Sequence, residues 1–360
     1  MSRFLLLICL LVSATCAGQA AADDPLHEAE TLLLAQRTRP DPAQFERAKQ
    51  ISAAAVERAP QDVHAWTVLA WVRMAEHRFT DALAAAKHAQ NLAPDNARML
   101  ALMSDALVEL GRYDEAVDVT QHLVDIAPGI PAWTRAAHLR FLFNDLDGAI
   151  QLMAMAARAG AAHGEPSAWT WLDLARLYLS AGNLAAANEA IAAAEQSYPG
   201  LAAALSAHAR VRLAKGDAAA ALDLYHRAIK VQPSAEDALA AWRVARQLKE
   251  RGAEKHLAAL LDGFAKLDRE RSRRALAEYF AERGETGTAL ALAREELAAR
   301  PDLYSEASLA RVLHRAGNEP EARQHAQSAL ALNTPDPQLQ TDMHRVLAPR
   351  EVTAAKETLP

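Results

Sequence analysis

The sequence predicts an all-α solenoid of about nine stacked helix–turn–helix units, ended by a C-terminal capping helix. Composition is the first observation. The 360 residues are 51% apolar but only 5% aromatic, and the 14 Gly and 16 Pro are sparse. Ala and Leu dominate, and both are strong helix formers. Proline spacing is the second. Pro60, Pro94 and Pro128 stand 34 residues apart, as do Pro199 and Pro233, and Pro233 to Pro301 spans 68. Glycine is the third: Gly111, Gly182, Gly216, Gly284 and Gly317 follow at intervals of 71, 34, 68 and 33. Two helix-breaking residue types on one clock mark stacked supersecondary units, because no single unit buries its apolar face alone. A chain of this length also outgrows one compact core.

The amino terminus comes first. Arg3 supplies a positive start, Phe4 to Val12 form an apolar run, and Ala20-Ala21-Ala22 gives a small-x-small cleavage pattern. The run is too short to span a bilayer, so residues 1–22 read as a secretory signal peptide cut between Ala22 and Asp23. A lipid anchor on Cys16 is the competing reading, although Ser13-Ala14-Thr15 lacks the Leu and small residue that usually precede such a cysteine. Both cysteines, Cys9 and Cys16, lie in this segment. The mature chain then holds no thiol, which excludes disulfides, thiolate metal sites and cysteine catalysis. It is expected in a bacterial periplasm or outside the cell, without a transmembrane segment.

The units follow. The second reads Trp66-x-x-Leu69-Ala70, then Phe79-x-x-Ala82, Ala89 and Pro94; the third carries Leu110-Gly111-Arg112-Tyr113; the fifth reads Trp171-x-x-Leu174-Ala175-x-x-Tyr178 with Gly182 and Pro199. Small residues recur at one position of each first helix (Ala70, Ser104, Ala137, Ala175, Ala209, Ala277, Ala310). They recur again in each second helix (Ala48, Ala82, Ala116, Ala149, Ala187, Ala221, Ala289, Ala322). Such facing columns let two antiparallel axes approach closely. Glycine suits the turn between helices, and proline stops the second helix.

These segments resemble the tetratricopeptide repeat, with its W-x2-L-G-x2-Y, A-x3-F and P slots, over Ala29 to about Asp336. The resemblance implies a right-handed superhelix whose first helices line a concave face. A first block covers 29–163 in about four repeats and a second covers 168–336 in about five, with Ala161 to Pro166 as a hinge between them. The unit at 236–269 reads as degenerate, because Arg243, Lys255 and Asp262 fall in its small slots. Residues 338–348 form the capping helix and 349–360 a loose tail.

Chemistry is sparse. The sequence has no G-x-G-x-x-G, phosphate-binding loop, H-E-x-x-H or G-x-S-x-G motif. Its 13 histidines include no i, i+4 pair, so no metal or cofactor is expected. Net charge is −6 with no basic run, which argues against nucleic acid. Trp66, Trp133 and Trp171 share one packing slot and Trp242 falls on a core leucine slot, whereas Trp71 and Trp169 project from the helix pair. The resemblance places these two on the concave face with His64, Met74, Arg98, Asp105, His138, Phe141, Arg176 and Arg210, and further along with Arg274, Glu278, Arg311 and His314. Aromatic surface beside cations suits an extended peptide with acidic groups. The expected function is a non-catalytic exported scaffold that binds a protein or peptide in this groove. By resemblance to exported tetratricopeptide proteins, its setting is envelope assembly, secretion or polysaccharide export. The alternative is a protein that binds a small solute or glycan; a hydrolase is the weakest reading. Replacing Trp71 or Trp169 by Ala is expected to weaken capture while sparing helicity.

Overall fold

The periodic glycines and prolines become turns and stops in the computed structural model, which describes residues 24–38, 40–160 and 164–348. The expected signal peptide with Cys16, residues 161–163 of the expected hinge and the tail 349–360 lie outside the described residues. Those described form nineteen helices and no strand. The first hairpins are α1 (Pro25–Ala35) with α2 (Pro42–Arg58), α3 (Val63–Ala75) with α4 (Phe79–Leu92), and α5 (Ala97–Glu109) with α6 (Tyr113–Ile126). Next come α7 (Ile130–Leu142) with α8 (Leu146–Ala159), α9 (Glu165–Ser180) with α10 (Leu184–Ser197), and α11 (Ala202–Ala214) with α12 (Ala218–Val231). The last are α13 (Ala235–Leu248) with α14 (Arg251–Leu267), α15 (Arg269–Glu282) with α16 (Thr286–Ala299), and α17 (Leu303–Arg315) with α18 (Glu319–Leu330). Helix α19 (Pro337–Leu347) packs on the final pair.

Local chemistry sets the boundaries. Asp24, Asp41, Asp62, Asn96 and Asp302 each accept an amide hydrogen bond from the first turn of the helix they precede, satisfying a donor that has no partner inside the helix. At the turns of the second to ninth hairpins the chain takes a left-handed residue. Gly111, Gly182, Gly216, Gly284 and Gly317 supply it, while His77, Asn144 and Lys249 take the same conformation where glycine is missing.

The small columns are the core. Ala70, Ala137, Ala175, Ala209, Ala277 and Ala310 are all fully buried, as are their partners from Ala48 to Ala322. Where the column holds Ser104 instead, its hydroxyl finds Thr120 at 2.7 Å, as a buried polar group must.

The seventh unit departs from the sequence reading. It is a full hairpin, α13 with α14, set one residue earlier than expected, because its left-handed turn residue is Lys249 and not a glycine one place on. Trp242 and not Arg243 therefore takes the small slot, buried and edge-on to Tyr279 at 5.1 Å, and Leu261 replaces Asp262 in the second helix. Freed from the hairpin, Arg243 projects to the inner face.

The spiral is wound tightly enough for successive turns to touch. The Tyr113 hydroxyl accepts the Leu303 amide at 2.8 Å, and the Thr334 hydroxyl donates to the Leu142 carbonyl at 2.7 Å. Arg300 Nε lies 2.6 Å from Glu109 Oε2, and Arg37 Nε 2.9 Å from Glu165 Oε1. Each contact joins the hairpin turn of an early repeat to the junction between two later repeats.

Candidate functional site

The inner face is built by the first helices, and the winding decides which part of it stays open. Phe141 is fully buried, with the Arg176 guanidinium 4.7 Å above its ring. Trp169 is 7% exposed, its ring 6.0 Å from Arg37 of the first repeat. His138 is buried beside Glu109, Tyr113 and Arg300, and burial, then the charge of Arg176, holds its pKa well below the usual histidine range. These residues do face inward, but other repeats of the chain cover them, Arg176 over Phe141 and Arg37 over Trp169.

Asp105 has no surface to offer. Its carboxylate is sealed against Arg135 Nη2 at 2.5 Å, and Arg135 also donates to the carbonyls of Ala101 (3.0 Å) and Pro131 (2.8 Å). Burial raises the Asp105 pKa to about 6, against the opposing pull of Arg135. This pair ties the third repeat to the fourth and is structural. His64 and Arg98 converge on Glu30: His64 Nε2 sits 2.8 Å from its carboxylate, Arg98 completes an ion pair, and the Arg98 guanidinium lies 5.6 Å over Trp71. The hydrogen bond with Glu30 raises the His64 pKa. For Glu30, burial pushes the pKa up, but His64 and Arg98 outweigh it and the net shift is down. Arg210 sits apart, against the Tyr225 hydroxyl.

Trp71 and Met74 differ from the rest. They line a cavity of about 370 Å³ between the inner faces of the first three repeats and the last three hairpins. Leu33 and Phe45 extend its apolar wall, and Leu239 and Phe264 close it from the other side. Arg243, Arg271 and Glu236 provide its polar wall, backed by Arg274, Glu278 and Arg311. Glu278 accepts Arg243 Nη2 at 2.7 Å and pairs with Arg311. Burial would raise its pKa, but the charges of Arg311 and Arg243 hold it far below the carboxylate range. Arg274 is fixed by Asp302 at 3.0 Å and by Ser305 Oγ at 2.9 Å. Of the residues expected on the groove, the structure thus places Trp71 and Met74, themselves 4% and 8% exposed, on the wall of one cavity with Arg274, Glu278 and Arg311. Arg243, Arg271, Phe45 and Glu109 were missed. The missed Arg243 carried a signal, since an arginine in a small slot means either a broken unit or a slipped register.

Among the described residues no group of three or more His, Cys, Asp or Glu could hold a metal ion, and no helix is long and apolar enough to cross a membrane.

Residues 73–139 and 172–237 match family models described as tetratricopeptide repeat. No curated protein matches the chain. Among solved structures, the Cut9–Hcn1 hetero-tetramer of the APC/C is similar at 16% identity, with a TM-score of 0.50 over 92% of this chain and 57% of that one; the chain spans little more than half of that relative. The human IFIT1 dimer with m7Gppp-AAAA is similar at 17% identity, with a TM-score of 0.58 over 86% of this chain and 72% of the other. The same dimer with PPP-AAAA gives 0.57 over the same shares. At these identities the likeness concerns fold.

Proposed function

Because the chain is a tetratricopeptide-repeat protein, we propose that it is an exported, non-catalytic adaptor that holds a protein partner on its inner helix faces. A protein-interaction scaffold is what such repeats support in general. One observation carries the finer reading: the winding covers Phe141 and Trp169 yet leaves a 370 Å³ gap where Trp71 and Met74 meet Arg243 and Arg271. An apolar wall facing fixed cations suits an inserted segment that combines aliphatic and acidic groups. The apolar run before Ala20-Ala21-Ala22 supports export, and the setting proposed for such an exported adaptor is envelope assembly, secretion or polysaccharide export. The RNA named with human IFIT1 is not carried over, since the cavity interleaves Arg243, Arg271 and Arg300 with Glu236, Glu278 and Glu296, and polyphosphate needs clustered cations without such competitors.

Two measurements test this. A photo-crosslinking residue at Ala240, on the cavity wall, should trap a discrete envelope partner in living cells, while one at the exposed outer position Lys87 should not. Equal trapping at both positions would remove the inner face from the reading. Amino-terminal sequencing of the protein from fractionated cells should begin at Asp23 in the periplasmic or secreted fraction; an acylated Cys16 or a cytosolic pool with Met1 intact would overturn the export step. The size of the cavity, about 370 Å³, favours the second reading, a small solute.

A further inference from the structure

We propose that this cavity is a binding site for one small amphipathic anion, its apolar body against Phe45, Trp71, Met74 and Leu239 and its carboxylate or equivalent head on Arg271. The inference rests on taking the cavity as the binding site, as above, and adds the chemistry of what enters it.

Size limits the ligand. About 370 Å³ falls within the roughly 300–1,000 Å³ of small-molecule sites, and the edge contacts at Tyr113–Leu303 and Glu109–Arg300 hold the winding that encloses it. An extended peptide of many residues does not fit inside; a single alkyl or aryl chain does. Leu33, Phe45, Trp71 and Met74 give one continuous source of apolar wall from the first three helices, with Leu239 and Phe264 opposite.

Charge selects the head. Six arginines and five carboxylates line the cavity, and Arg37, Arg243 and Arg274 are paired further with Glu165, Glu282 and Asp302 behind the wall. Four of these carboxylates are visibly engaged: Glu278 by Arg243 and Arg311, Asp268 by Arg271, Glu296 by Arg273 and Arg274, and Glu109 by Arg300. Donors remain. Arg271 gives Nε to Asp268 at 2.7 Å, and its side chain is 54% exposed. Among the described residues that is the hydrogen bond it makes, so its two terminal nitrogens can clamp a carboxylate in bidentate fashion. His77 lies on the same wall, where burial, then the charges of Arg300, Arg271, Arg273 and Arg274, hold its pKa well below the usual range. A polyanion would find too few free donors here.

The test uses purified protein and three probes in calorimetry: decanoate, decyltrimethylammonium with the same tail and the opposite charge, and acetate as the head alone. Decanoate should bind saturably, one per chain, with decyltrimethylammonium and acetate each weaker by about tenfold or more. Arg271→Glu, at an exposed position, should weaken decanoate by about tenfold or more, and Ala240→Phe, which fills the cavity from its partly exposed wall, should abolish binding with helicity intact. Equal binding of the two charged probes, decanoate binding that survives Ala240→Phe, or no saturable decanoate binding would each overturn the proposal. Crosslinking of a protein partner at position 240 then separates the failures. If it persists when decanoate does not bind, the anion chemistry falls and the adaptor reading stands; if both are absent, both fall.

Discussion

The Tyr113 hydroxyl accepts the Leu303 amide at 2.8 Å, joining the hairpin turn of the third repeat to the start of the ninth across 190 residues of chain. Burial raises the Tyr113 pKa, so the hydroxyl stays protonated at any physiological pH. Tyr113→Phe removes the acceptor and leaves the Leu303 N–H without it, which costs about 1–3 kcal/mol when the group stays buried. The expected result is a lower unfolding midpoint with unchanged helicity, and a larger radius of gyration in small-angle scattering where the turns part. An unaltered midpoint would mean that the turns do not touch in solution.

Gly111 allows a cleaner measure of the same contact. It has φ +65°, and a Cβ there would lie 2.2 Å from the Pro301 carbonyl oxygen; Gly182 has φ +71° in the equivalent turn with nothing within 4 Å. Gly182→Ala should cost about 1 kcal/mol from backbone strain alone. Gly111→Ala adds the clash between turns, so its loss in denaturant titration should exceed that of Gly182→Ala by about 1–3 kcal/mol. Equal losses would place the Gly111 turn clear of Pro301.

Glu109 links closure to protons. Burial raises its pKa to about 7, against the opposing charge of Arg300, while Asp302 pushes it up further and Arg274 pulls it down. Because the folded value exceeds the ordinary one near 4.5, the native state holds this proton more tightly. The stabilisation is complete below the ordinary value and is lost as pH rises through about 7. Glu109→Gln keeps the shape and removes the titration. Wild type should therefore lose stability relative to Glu109→Gln between pH 5 and pH 8 in paired denaturation curves. His77 and His138 titrate in both proteins and cancel in the difference. A gap that grows in favour of wild type with rising pH would contradict the burial of this carboxyl.

Trp71 and Trp169 carry the main revision of the sequence reading, which expects their loss to spare the fold. They are 4% and 7% exposed, under Arg98 and Arg37 respectively. Trp169→Ala opens a buried volume and should cost about 3–5 kcal/mol, read as a shifted chemical midpoint. A midpoint within about 1 kcal/mol of wild type would show that Trp169 does not pack against its neighbours.

What the sequence exposed and what it hid divide along range. The period, the turns at Gly111 and Gly182, and the buried columns from Ala48 to Ala322 depend on neighbours within one or two repeats, and local spacing carries them. The seventh unit slipped by one residue because Lys249 adopts a left-handed conformation that glycine usually marks, which turned Trp242 into an apparent leucine slot and Arg243 into an apparent defect. The open part of the inner face was not legible at all. It follows from how far the spiral turns per repeat, a sum of small rotations that brings Tyr113 to Leu303 and Thr334 to Leu142. No spacing in the chain marks those pairs, so Phe141 and Trp169 read as groove residues although Arg176 and Arg37 cover them, and Arg271 drew no notice.

Asp105 and Arg135 give the sharpest case of a residue read as a ligand contact that serves the joint between repeats. Their side chains are 0% and 2% exposed, and burial raises the Asp105 pKa to about 6 even with Arg135 beside it. Arg135→Met leaves a buried carboxylate without its cation and should cost about 3–5 kcal/mol at neutral pH, whereas adding Asp105→Leu should recover most of that, because a well-packed apolar pair avoids the desolvation both charges suffer. Acid offers a second check. Without Arg135 the Asp105 pKa rises further, so protonation relieves the single variant as pH falls below neutrality, and its deficit against wild type should shrink between pH 7 and pH 5. A double variant no more stable than Arg135→Met, or a deficit indifferent to pH, would show that the pair is solvated and that Asp105 is available to a ligand after all.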